Sequence, residues 1–300
     1  MDLNRAEEDL KTAEKDAEDA LNGLNGWAYS STNRDVELHF NMVKTGNITL
    51  KYTKGVTTLP VAPIVAAEIV QCFDTMKMWD KQFDEGRKLQ EFEDGKFFTY
   101  GKYKAPWPVS QRDFVNVVKT VYDDNGRIRI IATSHPHKDA PEKYPCIRAT
   151  LMYGAWVFEP TEDAVNDGED SFPVEGKCKA TYITAMNPMG TLPTWLVNQV
   201  ANDTPMCLAA IADMIQKHPN IVKDMEKRAR ARLARIYPKK AGDVADKDEK
   251  RTAEDEKKLL EGSTEEKEDA KQAGEAYLPP PRPTPTRVTK EMRGGVKRGC

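Results

Sequence analysis

Residues 105–118 of this chain read APWPVSQRDFVNVV. Trp107 stands between two prolines, and five residues later Arg112 and Asp113 begin a run in which apolar and polar residues alternate. Alternation with a period of two predicts a β-strand with two different faces. An arginine is an unusual first residue for a buried strand, because its permanent charge is costly to bury without partners. The stretch therefore predicts an exposed loop at Trp107, followed by a strand whose first charge needs an explanation.

The same alternation continues on both sides of this stretch. It predicts strands over 35–43, 47–57, 81–92, 96–103, 112–122, 127–134, 146–158 and 176–186. Helical spacing of apolar residues predicts helices over 3–22 and 60–78, and a last helix after residue 193 that Pro205 should kink. A long antiparallel sheet with helices before and after it is typical of an α+β fold.

The composition divides the 300-residue chain into three parts. Residues 1–220 have regular apolar patterning and predict one globular domain. Residues 221–238 predict a basic amphipathic helix. Residues 239–300 are charged and then proline-rich, so they lack the apolar side chains needed to offset ordering entropy, and we expect disorder there. The formal net charge of −3 predicts no nucleic-acid partner.

Cysteine usage and the first residues bear on the cellular compartment. The five cysteines form no CxxC pair, and the start MDLNRAEEDL is acidic and polar rather than leader-like. No apolar run has the length needed to span a bilayer. These features predict a cytoplasmic protein whose membrane contact is peripheral.

The sequence offers little catalytic chemistry. It contains no GxSxG, HExxH, P-loop or GxGxxG motif. His135 and His137 flank Pro136, but no third ligand follows at a diagnostic spacing, so we expect them in a surface loop rather than at a metal. The sequence therefore predicts no enzyme, no metal and no cofactor.

One acidic residue tests which strand faces are buried. In 81–92, Glu85 shares a face with Phe83 and Leu89, which favours an inward carboxylate that would need a charge partner. Arg112 is a candidate partner, because its planar guanidinium suits a carboxylate. The alternative is that both are exposed strand charges. Periodicity alone favours that alternative and does not decide which face of 112–122 is inside.

Four motifs in fixed order together resemble the START (StAR-related lipid transfer) domain family over roughly the first 220 residues. They are Trp79-Asp80 followed by Glu85, the stretch from Pro106 or Pro108 through Ser110, Arg112, Asp113, Phe114 and Val115, then Ile147-Arg148-Ala149, and NPMGTLPTWLVN at 187–198. Within the family, the motifs are most similar to ceramide-transfer, phosphatidylcholine-transfer and sterol-carrier members.

The resemblance implies a helix-grip fold, in which a curved antiparallel sheet wraps around a long C-terminal helix and leaves a cavity for one lipid. It implies that Arg112 holds a phosphate, or pairs with Glu85 when the lipid is a sterol. The lipid-binding residues expected from it are Glu85, Arg112, Phe114, Asn116, Ile128, Ile130, Arg148, Tyr153, Trp156, Tyr182, Leu196, Val200 and Leu208.

Two further expectations follow from the resemblance. Trp107, Pro108 and Val109 match the loop that contacts the membrane in relatives, and an indole suits the interface. Ile183 and Thr184 stand near where cage tyrosines for a choline group would be sought, which counts against phosphatidylcholine.

Three functions remain in competition. The first is a lipid-transfer protein that needs only a lipid ligand and transient membrane contact. The second is a lipid-sensing adaptor whose tail, through the proline-rich segment within 278–289 or its basic sequences, docks a protein partner or a membrane. The third is an enzyme that uses the same cavity, for which the sequence shows no nucleophile and base.

Overall fold

The structure, a computed structural model, describes residues 3–24, 26–46, 48–92, 95–162, 172–192 and 194–237. The chain divides into two units, residues 1–245 and 246–300, and every described residue belongs to the first. The predictions for 239–300 therefore lie outside the described residues, and the domain boundaries at 220 and 238 stay predictions.

One antiparallel sheet organises the first unit. Its strands are β1 (Ala28–Asn33), β2 (Val36–Thr45), β3 (Ile48–Leu59), β4 (Phe83–Glu91), β5 (Lys96–Tyr103), β6 (Arg112–Tyr122), β7 (Ile128–Ser134), β8 (Ile147–Arg148), β9 (Thr150–Pro160) and β10 (Cys178–Asn187). The order across the sheet is β1-β2-β3-β10-β9-β7-β6-β5-β4, and the short β8 pairs parallel with the start of β6. The predicted strands are confirmed except that 146–158 is divided at Ala149 into β8 and β9, which pair with different neighbours. β1 was not predicted, because all six of its residues are exposed and carry no alternation.

Six α-helices occur in the described part of the unit. They are α1 (Leu3–Leu21), α2 (Pro63–Gln71), α3 (Phe73–Trp79), α4 (Thr194–Asp203), α5 (Cys207–Lys217) and α6 (Pro219–Ile236). The single helix predicted over 60–78 is two helices, since Cys72 has an extended backbone. The Thr75 hydroxyl donates to the carbonyls of Ile69 and Cys72 at this break, which satisfies groups that the interrupted helix leaves open.

The two faces of the sheet are covered by different helices. We call the face under α1 the outer face, where the alanines of α1 and Leu10 pack on Phe98, Val117 and Ile131. The inner face carries Ile128 and Phe158 and packs against α2 and α5. Odd-numbered β6 residues therefore point outward and even-numbered ones inward.

The predicted kink at Pro205 is confirmed, since a 3₁₀ turn over Thr204–Met206 separates α4 from α5. This turn lies directly on Gly55 of β3. A Cβ at Gly55 would be 2.9 Å from Pro205 Cβ and 3.0 Å from Leu208 Cδ1. The close approach of helix and sheet therefore depends on the absence of a side chain at position 55.

The predicted basic helix is also confirmed, as α6. It buries Val222, Met225 and Ala229 and packs against α2. Arg232 donates two hydrogen bonds to Glu68 of α2, whose carboxylate is buried. A buried carboxylate requires such a partner, so this ion pair fixes α6 to the body of the unit.

We expect Arg232→Leu to destabilise the protein by about 3 kcal/mol, because it leaves the Glu68 carboxylate buried without a charge partner. The measurement is the free energy of unfolding in urea. Two variants serve as controls. Glu68→Leu/Arg232→Leu should recover most of the loss, and Arg228→Leu, which breaks an exposed pair with Asp224, should cost less than about 1 kcal/mol. A single Arg232→Leu variant as stable as the wild type would contradict the assignment.

Candidate functional site

An aromatic cluster on the inner face draws its side chains from α3, β5, β6, β9 and β10. Trp156 and Tyr182 stack with ring centroids 3.9 Å apart, and Trp79 meets the edge of Trp156 at 6.1 Å. Tyr103 contacts Phe114 at 5.5 Å in a perpendicular arrangement. We call these five residues the interior aromatic cluster. Flat apolar faces of this kind are the usual lining of a site for an apolar ligand.

Two tyrosines of this cluster have deeply buried hydroxyl groups. Tyr103 and Tyr182 are half-buried as residues, and burial raises the pKa of each hydroxyl far above its usual value. The two hydroxyls are therefore held away from bulk solvent at the inner face.

The interior aromatic cluster has a polar end. Burial raises the pKa of the Asp80 carboxyl, although its Oδ1 accepts hydrogen bonds from the backbone N–H groups of Gln82 and Phe83, which act in the opposite direction. The charge of Asp80 also raises the pKa of Tyr103 and Tyr182, so the three groups are close. The arrangement presents two hydroxyl donors and a carboxyl group to anything that enters.

The Trp79 indole adds an unsatisfied donor. Its Nε1 is buried, and among the described residues it has no hydrogen-bond partner. A buried N–H without an acceptor costs about 1–3 kcal/mol. The indole therefore lies beside the polar end with a hydrogen bond still to make.

Arg112 is buried at the start of β6, and it does not pair with a carboxylate in the described part of the chain. Its guanidinium donates to the backbone carbonyls of Ser110, Pro188 and Met189. Ser110 belongs to the loop 104–111, which we call the Trp107 loop, and the other two residues precede α4. Arg112 thus joins the Trp107 loop to the segment leading into α4. This contact explains why a charge stands first in β6.

The predicted inward position of Glu85 is wrong, and so is its pairing with Arg112. Glu85 is exposed. Phe83 lies opposite Tyr103 and Glu85 opposite Lys102, so β4 advances two residues while β5 advances one. This β-bulge at Asp84 shifts the alternation on which the prediction rested.

Arg148 and Tyr153, which were also predicted to contact the lipid, do not lie on the inner face. Arg148 makes a two-pronged ion pair with Asp113, which is on the outward-pointing side of β6. Tyr153 belongs to the outer core under α1, where it meets the edge of Tyr52. Residues 153 and 156 are three apart in one strand, so they face opposite sides, and Trp156 is the inner one.

The remaining predicted residues are brought to the inner side. Phe114 and Asn116 share the inward face of β6, and Asn116 Oδ1 accepts a hydrogen bond from Ser134. Burial is complete or nearly so for Ile128, Ile130, Leu196 and Leu208, and partial for Trp156, Tyr182 and Val200. Their contact with a lipid stays a prediction.

The sequence reasoning did not single out Tyr103 or the Asp80 carboxyl as parts of the site. In β5, Phe97 packs in the inner core. Side chains alternate along a strand, so Tyr103, six residues later, points to the same inner face. Strict counting along this strand would have found Tyr103. The role of Asp80 depends on the turn after α3, for which the sequence carries no comparable signal.

The prediction that His135 and His137 lie in a surface loop is wrong. His135 and His137 are both buried and contact the ring of Phe98. His135 Nδ1 lies 2.9 Å from Asp9 Oδ2, so it helps to hold α1 on the sheet. No group of metal-ligating side chains occurs in the described part of the chain.

The Trp107 loop is exposed as predicted. The Trp107 side chain is 93% exposed, Pro108 is exposed and Val109 is half-buried. In the described ranges, no helix combines the length and the apolar character required to cross a bilayer.

We expect Arg112→Leu to loosen both segments that the guanidinium joins. The three carbonyls lose their charged donor, which should cost about 2 kcal/mol in stability. Hydrogen exchange should rise in residues 105–111 and 188–192 while the exchange of α6 stays unchanged. Arg230→Leu, on the exposed side of α6, is the matched control. Unchanged exchange in both segments would show that Arg112 does not hold them.

Comparison with known proteins gives a family. A family model of the START domain matches residues 7–214. Human ceramide transfer protein is 22% identical over 210 residues, which cover 66% of this chain and 33% of that protein. Phosphatidylcholine transfer protein of Rattus norvegicus is 27% identical over 160 residues, covering 52% of this chain and 68% of that protein. The chain thus spans only about a third of the length of ceramide transfer protein.

Solved structures agree on the fold. Human STARD10 aligns with a TM-score of 0.58 at 17% identity, over 70% of this chain and 81% of that chain. At this identity the likeness shows the fold alone. The α+β helix-grip fold predicted from the sequence is confirmed.

Proposed function

Because the chain belongs to the START domain family, we propose that it holds one lipid molecule at its inner face and carries that lipid between membranes. The observation that carries the proposal is the interior aromatic cluster, in which burial and the nearby Asp80 carboxyl raise the pKa of the Tyr103 and Tyr182 hydroxyls. The family match and the named relatives support lipid binding and transfer in general.

The apolar part of the lipid would lie along α4 and α5. In this proposal Leu196 and Val200 of α4 would cover it from the helix side, and Trp156 and Ile130 from the sheet side. Burial of acyl chains against such surfaces is favourable at about 25 cal/mol per Å². The apolar surface sets no demand on headgroup chemistry, so it suits a ceramide, a phospholipid or a sterol alike.

The polar part of the lipid would lie at the end formed by Asp80, Tyr103 and Tyr182, with the Trp79 indole beside it. A ligand oxygen there would accept hydrogen bonds from the hydroxyls and could satisfy the unpaired indole N–H. We assign Arg112 to the loops rather than to the headgroup, because its donors are already directed at three backbone carbonyls. The lipid leaves chemically unchanged, so the proposed activity is not enzymatic.

The adaptor function depends on residues 239–300, which lie outside the described residues, and it stays a prediction. Deleting these residues separates it from transfer. Unchanged lipid transfer and unchanged targeting in cells would remove the tail from the function.

We expect the protein purified from cells to carry close to one lipid per chain. Native mass spectrometry gives the stoichiometry, and extraction followed by lipid mass spectrometry identifies the class. Transfer is measured between donor and acceptor vesicles with a labelled lipid of the class found. Absence of both bound lipid and transfer would overturn the proposed function.

We expect Tyr182→Phe to weaken lipid binding by up to about tenfold, because one hydrogen bond to the ligand contributes about 0.5–1.5 kcal/mol. Tyr153→Phe is the matched control, since this tyrosine is also buried but lies under α1 on the outer face. Competition with a fluorescent lipid measures both affinities. Equal losses of affinity in the two variants, or a loss only in Tyr153→Phe, would show that the proposed position of the ligand beside Tyr182 is wrong.

A further inference from the structure

A second aromatic side chain is as exposed as Trp107. Tyr144 is 94% exposed and Trp107 is 93% exposed, whereas the next most exposed large hydrophobic side chain in the described ranges, Met42, reaches 61%. Prolines at positions 106, 108, 141 and 145 lie within three residues of one or other ring. No residue in the described ranges covers either ring, which is costly for a large apolar surface in water.

The two rings lie at the same end of the molecule. The backbone N–H of Ile147 donates to the carbonyl of Gln111, and Ile147 pairs with Arg112 in the parallel β6–β8 contact. The loop 138–146 therefore ends beside the Trp107 loop. A third segment joins them, because Arg112 binds the carbonyls of Pro188 and Met189.

The third segment adds a smaller apolar group. Met189 is 42% exposed. A Cβ at the next residue, Gly190, would be 3.2 Å from Ile147 Cδ1 and 3.7 Å from Arg112 Nη2. We call the exposed side chains of Trp107, Tyr144 and Met189 the tip surface. Three separate loops thus present apolar side chains at one end, and one buried guanidinium holds two of those loops together.

We propose that Tyr144 is a second membrane-contact residue, and that the tip surface as a whole rests on a lipid bilayer. The inference rests on the proposed function, because a protein that carries a lipid between membranes must contact a bilayer to take that lipid up. Tyrosine and tryptophan rings favour the headgroup level, where the ring meets apolar chains and the O–H or N–H meets water.

Charge and shape favour a membrane as the occupant. In these two loops the exposed lysines Lys104, Lys138 and Lys143 outnumber the exposed carboxylates of Asp139 and Glu142 by one. Ammonium groups at this depth are attracted to anionic headgroups. A stable protein partner needs about 800 Å² of continuous surface on each side, whereas the tip surface consists of separate protruding side chains.

The test measures binding of the full chain to vesicles of phosphatidylcholine, with and without phosphatidylserine, by co-sedimentation. We expect Tyr144→Ser to weaken binding about tenfold and Trp107→Ser/Tyr144→Ser to weaken it further. Tyr144→Trp should restore binding, because the indole occupies the same interface. Tyr29→Ser is the matched control, since this tyrosine is 59% exposed on the edge strand β1.

Three results would overturn the inference. The first is equal vesicle binding by Tyr144→Ser and the wild type, and the second is no vesicle binding by the wild type. The third is a loss of self-association, seen by light scattering, without a loss of vesicle binding, which would make the tip surface a contact between copies. Lipid content separates this inference from the proposed function: a normal lipid load in Tyr144→Ser with normal vesicle binding removes only the role of Tyr144.

Discussion

A single sheet with two apolar faces has to be covered on both sides, and this constraint determines where every helix of the unit lies. The outer face needs a thin cover, and α1 supplies it with alanines that let the helix lie close to the strands. The inner face is covered by α2 and α5, and α6 packs on α2 from outside. Because different helices cover the two faces, the inner side can keep space for a ligand without loosening the outer core.

Ion pairs also hold α1 on the outer face of the sheet. Arg129 binds Glu14 and Arg127 binds Glu18, so charges at the side of α1 hold it over the strands. Arg112 has a different role, because its guanidinium donates hydrogen bonds to backbone carbonyls rather than to carboxylates. A guanidinium stays charged in any ordinary environment, so it keeps its acceptors whether or not a lipid is present. The loops at this end are thus ordered by a contact independent of the ligand.

Sequence patterning predicted the sheet, the kink at Pro205 and the helix α6, because each depends on a local rule of period or of proline geometry. It failed at Glu85, where a bulge adds one residue to β4 and reverses the alternation. It failed at His135, because burial beside Phe98 depends on the distant helix α1. The polar end brings together Asp80 in the turn after α3, Tyr103 in β5 and Tyr182 in β10. These residues are far apart in the sequence, so no local pattern predicts that they are close.

The contact of Pro205 with Gly55 determines a dimension of the molecule. The C-terminal helical segment cannot come closer to the sheet than this point, and any side chain at position 55 would hold it farther away. The separation of helix and sheet, and with it the volume left between them, is therefore encoded by one missing methyl group. A side chain at position 55 would therefore change the distance between the helical segment and the sheet without altering the residues between them.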